Sequence, residues 1–485
     1  MEQHTDPTQS RAAVSQGLHG VREAARRDKG LRFTALLHHV NERLLRDSFR
    51  LLKKEAAPGV DRMTWSEYEQ GVEERIADLH DRVHRGAYRA QPSRRVYIPK
   101  PDGRQRPLGI AALEDKIVQQ AVATVLNQIY EEDFLGFSYG FRPGRGAHDA
   151  LDALTVGIMT KKVGWILDAD IRGFFDNISH ERLIELMEVR ITDQRIIRLI
   201  QKWLKAGVSE DGQWSETKIG TPQGAVISPL LANIYLHYVL DQWVMEWRRK
   251  NAFGDMIIVR YADDFVLGFQ HRKEAERFLE HLRKRLADYG LELHSDKTRL
   301  IQFGRFAVDD RKREGKGKPE TFDFLGFTHI CGTIHKSGKF TVHRKTVGKR
   351  MTAKLRSIGV ELRKRRHKPI AETGDWLKQV VRGYFNYHAV PGNLPRLETF
   401  RQQIARHWRL ALRRRKSAQP VDVEAVRDPY GPLSAPTQSP ASLPFGKVSR
   451  YASEIGAVCV SSACTDLCGG CRATGIPTAT PTARQ

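Results

Sequence analysis

The sequence predicts an α+β fold, an antiparallel sheet flanked by helices and followed by an all-helical basic region. Three observations predict it. The apolar runs Ile257 to Tyr261 and Phe265 to Phe269 stand on either side of Ala262-Asp263-Asp264, the pattern of two strands joined by a tight reversal. A third strand-like run, Trp165 to Ile171, carries acid near its end at Asp170. Beyond residue 350 only helical spacing remains, with Lys and Arg between the apolar positions.

Residues 1–30 are polar and charged and predict a flexible or partly helical arm. From Phe33 to Lys54 the apolar residues Phe33, Leu36, Leu37, Val40, Leu44 and Leu45 recur at helical spacing, until Ala57-Pro58-Gly59 breaks the pattern. Residues 66–85 predict another amphipathic helix. Val96 to Pro99 predicts a short strand that turns at Pro101-Asp102-Gly103 and returns past Arg104 and Arg106 to Ile110. A helix from Glu114 to Tyr130 leads into a glycine-rich loop, Phe141 to Gly146, and a helix pair runs on to Lys205 after the acid-bearing strand. A helix beginning near Pro229, a charged helix from Lys273 to Tyr289, and strands at Leu291 to Leu293 and Phe322 to Phe327 complete the mixed unit, 31–335. Residues 336–416 form the helical unit. In 417–485 Pro, Ser, Ala and Thr dominate, which predicts little order.

Composition narrows the function. With 485 residues and 40% hydrophobic content the chain can bury two or three cores. It has no run of about 18 uncharged apolar residues, so no membrane span is expected. The polar N-terminus lacks the apolar core of a secretion signal, which predicts a cytoplasmic protein. Eighty basic against 57 acidic residues leave a net charge of +23, and Arg344 to Lys416 alone holds 21 basic and 4 acidic residues. So concentrated a charge favours a polyanion, and nucleic acid before a membrane surface. The aromatics there, Trp376, Tyr384, Phe385, Tyr387 and Trp408, are more simply read as core. Cys459, Cys464, Cys468 and Cys471 offer four thiolates, but their spacing leaves little chain to wrap a zinc ion.

The acids carry the chemistry. If the Asp170 strand lies beside the 263–264 hairpin, three carboxylates converge at one sheet edge. Such a cluster repels itself and calls for a multivalent cation. Hard oxygen donors suit magnesium, and two Mg2+ ions about 4 Å apart would serve in-line phosphoryl transfer. Alone, Asp-Asp is an ordinary turn dipeptide; the flanking strands and the distant third acid give it weight.

Tyr261-Ala262-Asp263-Asp264 resembles the catalytic signature of reverse transcriptases, in the variant of group II intron proteins. Six further blocks stand around it in order. They are Ile98-Pro99-Lys100 through Arg106 to Ile110, Ser138 to Pro143, Asp170 with Phe174-Phe175-Asp176, Gly220-Thr221-Pro222-Gln223-Gly224, His294 to Thr298, and Phe324-Leu325-Gly326-Phe327. Each block is weak alone; seven in fixed order, within 33–416, are not an accident.

The resemblance implies a right-hand polymerase, with fingers and palm in 31–335 and a thumb, or maturase domain, in 336–416. It assigns Asp170, Asp263 and Asp264 to catalysis and metal, and Phe175 to a gate that excludes a ribose 2′-hydroxyl. Lys100 and Arg106 would grip the triphosphate of a deoxynucleotide, Gln223 would touch nucleotide or template, and Lys297 would neutralise the leaving pyrophosphate. Phe324, Leu325, Gly326 and Phe327 would form the primer grip. Arg363, Lys364, Arg365 and Arg366, with Arg413, Arg414 and Arg415, suit phosphate contacts to intron RNA. A core phenylalanine, a basic turn and a solvated helix face are the plainer readings of these positions. Nothing after 417 matches the His-Asn-His endonuclease of many relatives, so a form without it is expected.

The expected function is an RNA-directed DNA polymerase that copies its group II intron RNA, assists its splicing, uses a DNA target and primer, and is nucleoid-associated. Two alternatives are a domesticated reverse transcriptase of a retron, diversity-generating or CRISPR-associated system, and a splicing-only maturase. The basic helical region argues against the first, and the retained acidic cluster against the second.

Overall fold

The computed structural model describes residues 16–99, 105–210, 212–217, 219–221, 224–334 and 337–413. Its strands are β1 (Ser93–Pro99), β2 (Gln105–Ile110), β3 (Trp165–Asp170), β4 (Val208–Glu210), β5 (Gln213–Ser215), β6 (Met256–Tyr261), β7 (Asp264–Phe269), β8 (Arg299–Gln302), β9 (Phe322–Phe324), β10 (Phe327–Thr333) and β11 (Phe340–Thr346). They form three sheets, in the orders β2-β1-β4-β5, β6-β7-β3-β8 and β11-β10-β9.

The central sheet, β6-β7-β3-β8, is antiparallel throughout. Its inner strands read as near-continuous Ile, Val, Leu and Phe because both faces are covered. The helix Arg272–Ala287 lies against β3 and β7, and the helix Ala147–Thr160 lies against β6. Gly157 permits the second approach, since a Cβ there would stand 2.9 Å from Ile257 Cδ1. The helix Leu113–Asp133 has 13 of its 21 residues buried, so it is packed around its whole circumference.

The helices Gly348–Lys364, Ile370–His388 and Leu394–Arg413 close over a separate core that includes Leu377, Tyr384, Phe400 and Trp408. Tyr384 stacks on Phe400 with centroids 3.7 Å apart, so these aromatics serve packing, as their plainer reading held. Among the described residues no helix is long and apolar enough to cross a membrane.

Several elements differ from expectation. Within the arm expected over 1–30, residues Gln16–Arg27 form a helix that buries Leu18, Val21 and Ala25 and pairs Arg22 and Arg26 with Glu132. The apolar spacing there was too sparse to stand out among the charges. Of the helix expected over 33–54 only Glu42–Leu51 is a full α-helix, started by the Asn41 cap; before it, Phe33 bridges to Ile191. The helix expected over 66–85 is two, Trp65–Glu69 and Val72–His84, because Gly71 takes φ 82 between them. Leu291 to Leu293 makes one isolated bridge, Ile171 to Leu293, and the strand lies later, at β8. The strand expected over 322–327 is broken by Leu325 (φ 47) and Gly326 (φ 83), which turn β9 into β10. The boundary expected at 335/336 falls between the paired strands β10 and β11, so the helices begin only at Gly348.

Candidate active site

The register of the central sheet brings the acids together. Asp170, the last residue of β3, is the cross-strand partner of Asp264, the first of β7. Such partners share a face, with Cβ atoms about 4.5–5.5 Å apart. Tyr261 pairs with Asp264, leaving Ala262 and Asp263 as the two-residue turn between β6 and β7. So tight a reversal demands a left-handed residue, and Ala262 supplies it at φ 58. The strands below are buried, which leaves the acids at the sheet's edge.

Electrostatics bear out their proximity. Burial first, and then the neighbouring charges of Asp263 and Asp170, together push the Asp264 carboxyl up to about 6 against the opposing charges of Arg350 and Lys297. Asp264 nevertheless keeps solvent contact at the end of its strand. Asp263 is also raised, by burial first and then by Asp170, against the opposing charges of Arg106 and Lys297. Asp168, one strand pleat back, is pushed up to about 6 by burial and stands 3.6 Å from Arg299.

Lys297 sits in this cluster, its Nζ 2.5 Å from Asp170 Oδ2. The backbone places it: His294 N donates to Asp170 O, and the N–H groups of Lys297 and Thr298 both reach His294 O. Among the described residues no three His, Cys, Asp or Glu side chains form a ready metal cage. Asp170, Asp263 and Asp264 are neighbours, and Asp170 Oδ2 is held by the Lys297 ammonium group. As donors they still fit a hard divalent cation: all are carboxylates, and they destabilise one another's charge.

Phe174 is core, and Phe175 lies half-buried against it with centroids 5.4 Å apart. Thr221 N donates to Phe175 O, and Gly220 passes so close that a Cβ would stand 2.9 Å from Phe175 O. The Gly220-Thr221 block therefore docks beside Phe175. Arg106, on β2, is near enough for its charge to act on Asp263. Lys100 and Gln223 lie outside the described residues, as do Arg414, Arg415 and the four clustered cysteines.

The Leu325-Gly326 turn is flanked by the buried pair Phe324 and Phe327, and Tyr387 donates its hydroxyl to Leu325 O at 2.8 Å. Arg363 and Lys364 are exposed in the last turn of their helix, as is Arg413 at the end of its own. Arg365 is engaged internally, bonded to Glu361 and lying over the Trp376 ring at 4.6 Å. Arg366 is half-buried, its Nε without a hydrogen-bond partner.

The sequence reading missed what holds the turn. Arg260, fully buried on β6, bonds Asp241, Asn233 Oδ1, Ser138 Oγ and Ala262 O. Asn233 in turn donates to Gly140 O, and a Cβ on Gly140 would stand 2.3 Å from Ala262 N. Part of the signal was visible: an arginine inside Ile257-Ile258-Val259-Arg260-Tyr261 and an aspartate closing the apolar run Leu230 to Leu240 each need a buried partner, though no spacing says which.

Residues 98–329 match the family described as reverse transcriptase (RNA-dependent DNA polymerase). The chain is 35% identical over 324 residues to group II intron-encoded protein LtrA of Lactococcus lactis subsp. cremoris, covering 64% of this chain and 53% of that protein. It is also 35% identical over 299 residues to protein YkfC of Escherichia coli (strain K12), covering 53% of this chain and 78% of the relative. The chain belongs to the group II intron-encoded reverse transcriptase family. The chain spans about half the length of the Lactococcus protein. It is more distantly similar, at 28% identity over 141 residues, to nuclear intron maturase 4, mitochondrial, of Arabidopsis thaliana, covering 29% of this chain and 17% of that protein. The matched region contains the whole central sheet and, with it, Asp170, Asp263 and Asp264.

Proposed function

We propose that this reverse transcriptase is an RNA-directed DNA polymerase that extends a DNA primer along its own group II intron RNA. The same RNA is bound by the basic helices after Gly348, which assists splicing and retromobility. The observation that carries the reading is the pairing of Asp170 with Asp264 beside the Ala262-Asp263 turn, three acids on one sheet edge among Arg106, Lys297 and Arg350.

Asp170, Asp263 and Asp264 would hold two Mg2+ ions. When bound, such ions acidify a 3′-hydroxyl and stabilise the charge of leaving pyrophosphate. The chain's own groups do the rest. Arg106 and Lys100 draw in and orient the triphosphate, Arg106 from a strand whose charge already reaches Asp263. Phe175 lies under the incoming sugar and leaves no room for a 2′-hydroxyl. Gln223, two residues beyond Thr221, meets nucleotide or template. As the 3′-oxygen attacks the α-phosphorus and the bond to the β-phosphate oxygen breaks, Lys297 turns from Asp170 to the pyrophosphate with its charge and a proton.

Phe324 to Phe327 form the primer grip, where the half-buried Leu325 turn faces the duplex and the two phenylalanines anchor it. Exposed Arg363, Lys364 and Arg413 contact RNA phosphates, continued by Arg414 and Arg415; Arg365 and Arg366 shape that end of the helix more than they touch RNA. Intron RNA binding should therefore weaken steeply with salt.

The test is primer extension on an RNA template by the wild type and Asp263→Ala, with RNA binding measured in parallel. Loss of extension by at least a thousandfold with unchanged RNA affinity is expected. Normal extension by the variant would overturn the site assignment.

A further inference from the structure

Resting on the polymerase reading, we propose that Arg350 binds a phosphodiester near the 3′ end of the primer strand. Arg350 belongs to the first turn of the helix Gly348–Lys364, immediately after β11. Its guanidinium lies over the Leu325-Gly326 turn: a Cβ on Gly326 would stand 3.3 Å from Arg350 Nη1 and 3.6 Å from Tyr387 Cε1. Its charge also reaches Asp264, holding the pKa of that carboxyl down against the effect of burial. The same charge acts on Tyr387 and His388. One exposed cation is thus fixed between the turn assigned to the primer and the acids assigned to the reaction.

Three features mark it as a ligand group rather than a structural one. First, it makes no ion pair or hydrogen bond among the described residues, whereas the nearby buried Arg344 is paired with Asp152 at 2.6 Å. Second, Lys349 and Arg350 occupy a helix start that has no acidic residue in its first turn and no side-chain cap. Cations there oppose the helix dipole, an arrangement that an arriving anion reverses. Third, the open hand of a guanidinium suits two phosphate oxygens at once. A primer whose 3′-hydroxyl lies at Asp264 carries its preceding phosphodiesters back along this turn.

The experiment uses the full chain and an RNA template with a DNA primer whose last, second-last or third-last linkage is a neutral methylphosphonate. Equilibrium binding is measured for wild type, Arg350→Gln and Arg350→Lys, and wild-type extension of the unmodified primer is recorded in the same preparation. Arg350→Gln should weaken binding about tenfold and flatten the salt dependence by about 0.7–0.9 in log–log slope, the signature of one lost phosphate contact. Arg350→Lys should keep the slope. Wild type should lose affinity at one of the three linkages, and Arg350→Gln should lose at least threefold less there. Equal losses in both proteins at every linkage, or an unchanged slope in Arg350→Gln, would overturn the proposal while wild-type extension still stands. Absence of wild-type extension would instead defeat the polymerase reading.

Discussion

The guanidinium of Arg260 closes on both carboxylate oxygens of Asp241, Nε to Oδ1 at 2.7 Å and Nη2 to Oδ2 at 2.5 Å, with neither side chain exposed. Asp241 closes the π-helical turn His237–Asp241, and Arg260 also bonds Ala262 O at 2.9 Å. The pair therefore ties a widened helical turn to the strained reversal that carries Asp263. Removing one partner leaves a buried charge alone, so Asp241→Asn and Arg260→Met should each cost about 3–5 kcal/mol in urea unfolding. The double variant Arg260→Met with Asp241→Leu should recover most of that stability, since an apolar pair of similar volume needs no compensation. Its primer extension should stay at least tenfold low, because nothing holds Ala262 O. Full recovery of extension by the double variant would show that the pair serves only stability.

Gly140 offers a sharper separation of stability from chemistry. A methyl there must displace the backbone at Ala262 N, 2.3 Å away, and a backbone cannot swing aside as a side-chain tip can. Gly140→Ala should cost only about 1–3 kcal/mol as a local overpacking. Displacing the turn that carries Asp263 by even an ångström should lower kcat about a hundredfold. Steady-state extension and thermal unfolding, measured together, check it; a normal kcat would mean that the turn does not set the geometry.

Much of this site was legible in the sequence because strands and acids leave local marks. The alternation of apolar runs with Ala262-Asp263-Asp264 announced a hairpin, and the hairpin formed with Tyr261 opposite Asp264. The Pro101-Asp102-Gly103 signal announced another, and Val96 and Leu108 pair across it. Partners far apart in sequence left no such mark. That Lys297 would meet Asp170, or Arg260 meet Asp241, depends on how β8 and the helix before β6 pack, not on any spacing. Leu325-Gly326 was misread for a related reason: Phe322 to Phe327 reads as one strand of alternating Phe, Leu and Gly, yet Phe324 and Phe327 pair across a turn and are both buried. A non-glycine residue at φ 47 is not announced by its type.

The same turn yields a third prediction. Tyr387 donates its hydroxyl to Leu325 O while its ring stacks on Phe327 with centroids 5.9 Å apart. Tyr387→Phe keeps the ring and loses only the bond, at a stability cost of about 1 kcal/mol. With the turn less firmly held, KM for primer–template should rise about three- to fivefold with kcat within twofold of wild type. A fall in kcat with unchanged KM would place Tyr387's influence on the acids instead of the primer.

His329 sets an acid limit on the fold. It is fully buried on β10, stacked flat on Phe322 at 4.7 Å, and neither ring nitrogen makes a hydrogen bond. Burial pushes its pKa down to about 3, with the charge of Arg344 pressing it the same way and the carbonyls of Phe322 and Phe327 offsetting this only in part. The unfolded chain takes up a proton near pH 6.5, where the folded protein does not. Stability from this group is therefore complete above pH 6.5 and is lost as pH falls toward 3, by about 1.4 kcal/mol per unit and about 5 kcal/mol at the limit. His329→Phe preserves the stacked ring and removes both the orphaned nitrogens and the proton. Urea midpoints at pH 7.5, 6 and 5 should show the variant at least as stable as wild type at the first and increasingly more stable at the others. Parallel pH curves for the two proteins would mean that His329 is already protonated, or already paired, in the folded state.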